Sequence, residues 1–430
     1  MPQHRLLTLI ACVCLAACGA PPSPLSDGGV IASVDSGRAS DAGADAGAPT
    51  DAGSATDSGT RPDGGARADA GPENLPPFDA GLCAQLQAMV TAEVTANHSP
   101  GIVFSIRAAD GALCEGAAGL ADLDAGTPMT ISTRVKVGSI TKTFIAAVVL
   151  QLVDEHVVSL TDPVSRWLPS FPHGSVTIEQ LLNHTSGLTD YLYDSQLQAT
   201  QGSPHTSDEM LAIAARVQAD AGMPGAWAYS NTNYLLLGEI IRSATGVAWP
   251  AQVRSRLLDR PDLRLTSTSV YGFEPMPAGF AHGYLDNGGI WSDVTDQTHP
   301  TVIGSAGCMV STVGDLSHWW KALNEGRVFS AASLLAMRQH TVPLVPPSPG
   351  VTWGLGVEVQ DGTPLGTLFG HGGGLGGFST QMQVFAGPGQ TLVVSMNASL
   401  HEGDPLEAVD PVTKVHHGIR PRLWQTLLGL

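Results

Sequence analysis

The chain of 430 residues has little positive charge. Lysine and arginine together number 21 against 39 acidic residues, which gives a formal net charge of −18 at pH 7. This balance argues against nucleic acid or an anionic membrane surface as the main partner. Lysine occurs only at positions 136, 142, 321 and 414, so any lysine that the chain uses for chemistry is one of these four.

Long hydrophobic runs are absent beyond the first residues, and that first run, Leu6–Ala17, is too short to span a bilayer. It follows the basic start Met1–Arg5, and together they predict a secretory signal over residues 1–17. The signal ends in Leu15-Ala-Ala-Cys18, which resembles a bacterial lipobox and implies a lipid on the Cys18 thiol. We therefore expect an exported lipoprotein anchored to a membrane of the bacterial cell envelope, at the outer membrane or the periplasmic face. An ordinary secretory signal is the alternative.

Residues 18–79 contain few apolar side chains larger than alanine. Between Asp27 and Asp79 ten acidic residues stand against three arginines, within irregular Asp-Ala-Gly repeats. Such a segment cannot bury enough apolar surface to offset the entropy of ordering, and its charges repel one another. We predict a disordered linker over 18–79 and a single folded domain over 80–430.

Cysteine is scarce as well, with six residues in the whole chain. Because an exported chain permits disulfides, Cys83 and Cys114 can pair, which would join a first helix to a second strand and leave Cys308 as a buried thiol. No spacing of cysteine and histidine resembles a zinc site, and we expect no metal.

Apolar periodicity in the folded part predicts an α+β fold. A helix and two strands come first, a helical stretch follows, and strands return near the end. This order predicts one antiparallel sheet built from both ends of the domain, with an all-helical lobe inserted. The predicted segments are a helix over 83–96, strands over 102–107 and 113–118, helices over 143–155, 207–219 and 233–243, a capping box at 177–180, strands over 355–359, 381–385 and 391–395, and a closing helix over 420–428.

Ser139-Ile-Thr-Lys142 places a hydroxyl and an amine three residues apart at the start of a predicted helix. Residues at this spacing share a helix face, and free N–H groups at the helix start favour developing negative charge. A serine is a weak nucleophile that needs a base, and a desolvated lysine can supply one. The pattern predicts an acyl-transfer centre, although alone it also fits an N-cap followed by a surface lysine.

Two later motifs can complete such a centre. In Tyr229-Ser-Asn231 a phenol beside an ammonium can act as a general base, and the amide can hold both Lys142 and a substrate carbonyl; Tyr229 in the core is the alternative. Phe369–Phe378 is rich in glycine and contains His371. We interpret it as an edge strand that a substrate backbone can approach, with the N–H groups of Gly374 and Ser139 as an oxyanion hole.

The order Ser139-x-x-Lys142, Tyr229-x-Asn231, His371-Gly-Gly resembles the serine β-lactamase and penicillin-binding-protein superfamily, on the branch of class C β-lactamases, D-alanyl-D-alanine carboxypeptidases and β-lactamase-fold esterases. Further similar motifs are Leu181–Leu188, Ser305-Ala-Gly307 and Trp353-Gly-Leu-Gly356. The resemblance implies an antiparallel sheet flanked by helices plus a helical lobe, with no metal or organic cofactor.

The resemblance also implies roles for the site residues. Ser139 is the acylated nucleophile, Lys142 its activating amine and Tyr229 the base that exchanges protons with the leaving group and the deacylating water. Asn231 orients Lys142 and the substrate, and Gly372, Gly373 and Gly374 line the substrate strand. His184, within the motif after the capping box, is interpreted as structural support of the cleft.

The third of these motifs departs from the family pattern, which is Lys-Thr/Ser-Gly. Here it is His371-Gly372-Gly373, which lacks the hydroxyl and has a side chain that is cationic only part of the time near neutral pH. Both changes weaken the capture of a substrate carboxylate, which favours an esterase or amide hydrolase acting on small ester, amide or peptide substrates. A D-alanyl-D-alanine carboxypeptidase or β-lactamase is the alternative, and so is a non-catalytic protein that binds peptidoglycan or a partner. A monomer is the expected state.

Overall fold

The computed structural model describes residues 78–97, 99–276, 278–287, 289–348, 350–363, 366–387 and 389–399, together with Leu423 and Thr426. The predicted signal, Cys18 and residues 19–77 of the predicted linker lie outside the described residues. Of the predicted closing helix, Leu423 and Thr426 are described and both are helical.

The strands form one large sheet and two small ones. In the large sheet nine strands lie in the order β3-β2-β1-β14-β13-β12-β11-β10-β9, and all neighbours are antiparallel. The strands of the described residues are β1 (Gly101–Arg107), β2 (Leu113–Asp122), β3 (Thr127–Pro128), β4 (Val135–Lys136), β5 (Ser269–Val270), β6 (Tyr284–Asp286), β7 (Trp291–Asp293), β8 (Met309–Ser311), β9 (Val342–Ser348), β10 (Val351–Trp353), β11 (Glu358–Thr363), β12 (Gly366–Gly374), β13 (Ser379–Phe385), β14 (Thr391–Met396) and β15 (Ala398–Ser399).

Helices cover the sheet and form the inserted lobe. Short 3-10 turns precede or extend several of them, including the turn Gly138–Ile140 before α2. The α-helices of the described residues are α1 (Ala80–Asn97), α2 (Thr141–Asp154), α3 (Ile178–Leu182), α4 (Ser195–Thr200), α5 (Ser207–Arg216), α6 (Asn231–Thr245), α7 (Trp249–Val253), α8 (Pro300–Ile303), α9 (Val313–Asn324) and α10 (Ala331–Gln339).

The sheet joins both ends of the domain, as predicted. Strand β1 pairs with β14 on one side and with β2 on the other. Successive side chains of a strand point to opposite faces. Phe104 therefore packs in the apolar layer under α1, whereas Val103 packs in the layer that contains α2. Both faces of the sheet are covered by helices, which confirms the predicted α+β architecture.

The lobe that follows α2 is helical from α3 to α7, and the short strands β5, β6 and β7 come between α7 and β8. Both hydrogen bonds of the capping box join Thr177 and Gln180 at the start of α3. Helix α6 ends at Thr245, and the next residue, Gly246, has a left-handed φ of 72° that suits glycine. Helix α5 ends at Arg216, earlier than predicted, and continues as a 3-10 turn.

Two strand predictions need correction. The strand predicted over 355–359 begins only at Glu358, because Gly356 has a φ of 83° and the chain bends there between β10 and β11. Strand β12 lies inside the sheet rather than at its edge. Its pairing with β11 nevertheless stops at Gly370, so residues 371–374 extend beyond β11 with one side open. The open edge is therefore local.

The structure also joins α1 to β2 by a disulfide between Cys83 and Cys114, whose Cα atoms are 5.5 Å apart. Cys308 is a buried free thiol. Among the described helices, none combines the length and the apolar character needed to cross a bilayer.

Candidate active site

Lys142 lies at the centre of the site. It is in the first turn of α2 and is fully buried. Its Nζ donates hydrogen bonds to Ser139 Oγ at 2.9 Å, to Asn231 Oδ1 at 2.8 Å and to the Ala306 carbonyl oxygen at 2.7 Å. The amine thus joins α2, α6 and the turn before β8 at one point.

Ser139 is half-buried in the 3-10 turn that leads into α2. The start of α2 is fixed from below, because Thr143 Oγ1 donates to the Ile140 carbonyl and accepts from Trp319 Nε1 at 2.9 Å. Phe144 stacks on the same indole at 4.2 Å between ring centroids. These contacts hold the hydroxyl at the wall of the cleft while the helix beneath it stays in the core.

Asn231 is the first residue of α6, and its amide has one defined orientation. Its Nδ2 donates to Asp190 Oδ2 at 2.7 Å. An ionised carboxylate only accepts hydrogen bonds, so the amide nitrogen must face Asp190 and the amide oxygen must face Lys142.

Tyr229 lies over the amine, with its ring centroid 5.0 Å from Lys142 Nζ. The half-buried phenol ring stacks on His184 at 4.2 Å and meets Trp353 edge-on at 5.7 Å. His184 Nδ1 lies within hydrogen-bond distance of the Ser230 backbone nitrogen, at 3.2 Å, and of Asn233 Nδ2, at 3.1 Å. Burial lowers the pKa of His184 well below its usual range, so a neutral imidazole supports the Tyr229 ring from below.

His371 points into the same aromatic group, with its ring 5.2 Å from that of Trp353. Its Nδ1 is 2.6 Å from the carbonyl oxygen of Gly372, which can only accept, so Nδ1 carries the hydrogen. Burial, and secondarily the Lys142 charge, lower the pKa of His371 to about 3. The expected partial positive charge is therefore wrong: near neutral pH the imidazole is uncharged, and Nε2 is a hydrogen-bond acceptor.

The backbone at the end of β12 carries the N–H of Gly374, which the sequence predicts to form an oxyanion hole with the N–H of Ser139. Leu375 and Phe378 exchange two hydrogen bonds of 3.1 Å, and such pairs alternate along an antiparallel ladder. Gly374, paired with Ser379, therefore turns its N–H away from β13 and towards the open side, as does Gly372. A Cβ on Gly138 would lie 2.7 Å from the Gly374 nitrogen, which brings Gly374 against the turn that carries Ser139.

Gly373 has a different part in the site from the one predicted. The same alternation directs its N–H towards Thr380 of β13 rather than towards the cleft. A Cβ on Gly373 would overlap the Val137 carbonyl oxygen and lie 3.0 Å from the Ser139 nitrogen. The missing side chain lets β12 and the nucleophile turn pack backbone against backbone.

Three residues have roles in the site that the sequence motifs did not indicate. Ala306 lies within the motif Ser305-Ala-Gly307, but it acts through a backbone carbonyl, which no side-chain pattern can indicate. Asp190 and Trp353 are distant in sequence from the residues that they contact; Trp353 begins the motif 353–356, and Asp190 follows the motif 181–188. Within the described ranges, no group of three or more His, Cys, Asp or Glu residues is arranged to hold a metal ion.

The arrangement suits acyl transfer. A partly exposed hydroxyl lies beside a buried amine, a phenol lies over that amine, and the backbone of Gly374 packs against the turn that carries the hydroxyl. Such groups supply, in order, a nucleophile, its base, a second proton carrier and a site for a developing oxyanion.

Comparison with known proteins agrees with this geometry. The family model described as Beta-lactamase matches residues 86–412. Penicillin-binding protein 4* of Bacillus subtilis (strain 168) is 28% identical over 298 residues, which cover 65% of this chain and 64% of that protein. The chain spans 61% to 64% of the length of the first curated relatives that it matches.

Two solved structures are similar over most of their length. The D-stereospecific amidohydrolase from Streptomyces sp. has a TM-score of 0.65 and 32% identity, covering 75% of this chain and 95% of that one. The D-amino acid amidase from Ochrobactrum anthropi SV3, in complex with L-phenylalanine amide, has a TM-score of 0.68 and 28% identity, covering 75% and 92%.

The backbone contact at Gly373 gives a test of the site geometry. Gly373→Ala should lower the free energy of unfolding by about 1–3 kcal/mol, because the new methyl group overlaps the rigid Val137 carbonyl. Gly387→Ala is the control, since a Cβ there meets nothing within 4 Å, and we expect a change within about 0.5 kcal/mol. Urea unfolding of both variants measures the difference; equal stability would contradict the close packing.

Proposed function

Because the chain belongs to the beta-lactamase family, we propose that it is a serine hydrolase that forms an acyl-enzyme on Ser139. The observation that carries this proposal is the 2.9 Å hydrogen bond between Ser139 Oγ and Lys142 Nζ. A fully buried lysine adjoining a half-exposed serine is costly to maintain, and nucleophile activation explains why the two groups adjoin.

In the first half of the reaction Ser139 Oγ attacks the substrate carbonyl carbon. This step requires Lys142 to have lost one proton, so that the hydrogen bond reverses and Ser139 Oγ donates to the Nζ lone pair; the Ser139 proton then passes to Nζ. The carbonyl oxygen, now an anion, accepts hydrogen bonds from the N–H groups of Ser139 and Gly374. Collapse of this intermediate breaks the bond to the leaving group, which takes up a proton through Tyr229. Oxyanion donors of this kind are typically worth 10²–10³ in turnover.

In the second half a water molecule attacks the acyl-enzyme. Tyr229 accepts a proton from this water, the same oxyanion groups bind the second intermediate, and Ser139 Oγ leaves with the proton returned from Lys142. Asn231 holds the amine in register through its amide oxygen throughout. All steps use groups of this chain and water.

The proposed substrate class depends on the motif His371-Gly372-Gly373, which replaces the Lys-Thr/Ser-Gly pattern of the family. A buried, uncharged His371 cannot attract a carboxylate, and a glycine follows it where the family pattern has a hydroxyl residue. We therefore favour small amides, esters or peptides without a carboxylate next to the scissile bond. The amidohydrolase and the amidase that resemble the chain act on D-configured compounds by their names, which supports testing D-amino acid amides first. D-alanyl-D-alanine carboxypeptidase or β-lactamase activity is the second candidate.

A fluorophosphonate probe tests the nucleophile. We expect the probe to label the wild-type chain once, at Ser139, because Lys142 activates that hydroxyl, and we expect no labelling of Ser139→Ala. Intact mass and peptide mapping identify the modified residue. A well-folded wild-type chain that stays unlabelled would favour the non-catalytic alternative, a protein that binds peptidoglycan or a partner on the same fold.

A matched pair of peptides tests the substrate class. A D-alanyl-D-alanine peptide that ends in an amide should be hydrolysed with a kcat/KM about tenfold or more above that of the same peptide with a free carboxylate, because a buried neutral imidazole offers no counter-charge. In the same assays p-nitrophenyl butyrate should be turned over faster than a chromogenic cephalosporin. A preference for the free carboxylate, or for the cephalosporin, would contradict this proposal.

We also propose that the chain is exported and tethered by a lipid on Cys18, and that it works as a monomer. The basic start, the short apolar run and the Leu15-Ala-Ala-Cys18 sequence support the tether. The acidic segment that follows would hold the hydrolase domain away from the membrane surface. Substrates would then be met in the cell envelope.

Labelling with an alkyne fatty acid in a bacterial host tests the tether. The wild-type chain should incorporate the lipid and fractionate with membranes, whereas Cys18→Ser should lose both properties. The variant Cys308→Ser serves as the control for loss of a thiol, because its sulfur is buried in the fold. Lipid on the Cys18→Ser variant would place the anchor elsewhere.

A further inference from the structure

We propose that Asp190 is a positioning residue that fixes the Asn231 amide and supplies the negative charge facing Lys142. The inference rests on the proposed function, since it assigns Asp190 a part in preparing the Ser139–Lys142 pair. Asp190 lies in the loop before the 3-10 turn Tyr191–Tyr193 and is 9% exposed.

The Asp190 carboxylate is held by three N–H groups. Oδ2 accepts from the Asn231 backbone N–H at 3.0 Å and from Asn231 Nδ2 at 2.7 Å, and Oδ1 accepts from the Leu192 N–H at 3.0 Å. The Asn231 N–H is at the start of α6, where the helix dipole favours an anion. The carboxylate therefore holds both the helix start and the catalytic amide.

From Asp190 the chain of contacts leads directly to the amine. Nδ2 of Asn231 faces the carboxylate and Oδ1 faces Lys142 at 2.8 Å. The hydrogen bond from Nδ2 to the carboxylate fixes this orientation of the amide. Without it the amide could rotate by 180° and present its N–H groups to the lysine. Asp190 thus sets which atom Lys142 meets.

Three titratable groups near Lys142 are uncharged near neutral pH: His184, His371 and Tyr234. Burial lowers the pKa of His184 and that of His371, and burial raises the pKa of Tyr234, so that phenol stays protonated. Tyr229 is the proton carrier of the proposed reaction. Burial raises the pKa of Asp190, while its N–H partners and the Lys142 charge oppose that rise. Asp190 and Lys142 are therefore electrostatically coupled.

Asp190→Asn should lower the pKa of Lys142. The substitution removes a negative charge that favours the ammonium, and a reversed Asn231 amide would turn an N–H towards it; both effects have the same sign. We expect a downward shift of about one pH unit. In a plot of the fluorophosphonate labelling rate against pH, the inflection that belongs to Lys142 should move to lower pH as well.

The scarcity of lysine allows a direct measurement. In protein labelled with [¹³Cε]lysine only four side chains give signals, and Lys142→Arg identifies the one of interest. Titration of that signal by NMR compares wild type with Asp190→Asn. The matched control is Asp315→Asn. It removes a carboxylate of similar burial that accepts from the Ser267 N–H at 2.7 Å and from Thr268 Oγ1 at 2.9 Å. In this variant Lys142 should titrate as it does in the wild type.

The outcomes separate the two proposals. An unchanged Lys142 titration in folded Asp190→Asn would overturn the role of Asp190, whatever the enzyme does. A wild-type chain without Ser139 labelling would overturn the hydrolase while leaving the titration informative. If thermal unfolding shows that Asp190→Asn does not fold, Asp190→Ser removes the same charge and must give the same shift. Asp190→Glu, which keeps the charge, should titrate close to wild type.

Discussion

The buried amine of Lys142 constrains most of the structure around it. An ammonium in a low-dielectric interior is strongly unfavourable unless it is hydrogen-bonded and balanced by charge. Here three oxygens meet the amine at 2.7–2.9 Å, and they come from parts of the chain 3, 89 and 164 residues away. Lys142 Nζ is therefore the point at which three parts of the fold must meet: the turn that carries Ser139, the start of α6 and the turn before β8. The position of the cleft follows from this requirement.

The cleft wall opposite Lys142 depends on small residues rather than on charge. Where the family pattern has a lysine and a hydroxyl, this chain has His371 and glycines, and the glycine backbone packs against the turn of Ser139. The imidazole is buried, its Nδ1–H donates to the carbonyl oxygen of Gly372, and its ring contacts Trp353. Recognition at this wall then rests on backbone N–H groups without the cation of the family pattern, which suits neutral acyl donors better than anionic ones.

The sequence predicted the fold and the main site residues to the extent that local signals exist. The β1–β2 pair and the capping box at Thr177 each have a local cause, and the structure confirms them. The strand predicted over 355–359 was wrong in its first half because the left-handed conformation of Gly356 is set by packing against α2. Strand β12 lies inside the sheet because β11 and β13, its neighbours in sequence, both pair with it, and the glycine content of the segment does not reveal this. The charge of His371 depends on burial, which composition does not reveal.

Asp190 shows why such sites extend beyond the residues that touch substrate. Its carboxylate contacts neither Ser139 nor the open side of β12, yet it determines the orientation of an amide whose other end meets the lysine. A side chain of this kind has no sequence signature, because its partner lies 41 residues away and its function is to fix an orientation. The same reasoning applies to His184, which supports the Tyr229 ring from a left-handed backbone position. Reactivity at Ser139 is therefore a property of a buried polar network in which the hydroxyl is only the exposed end.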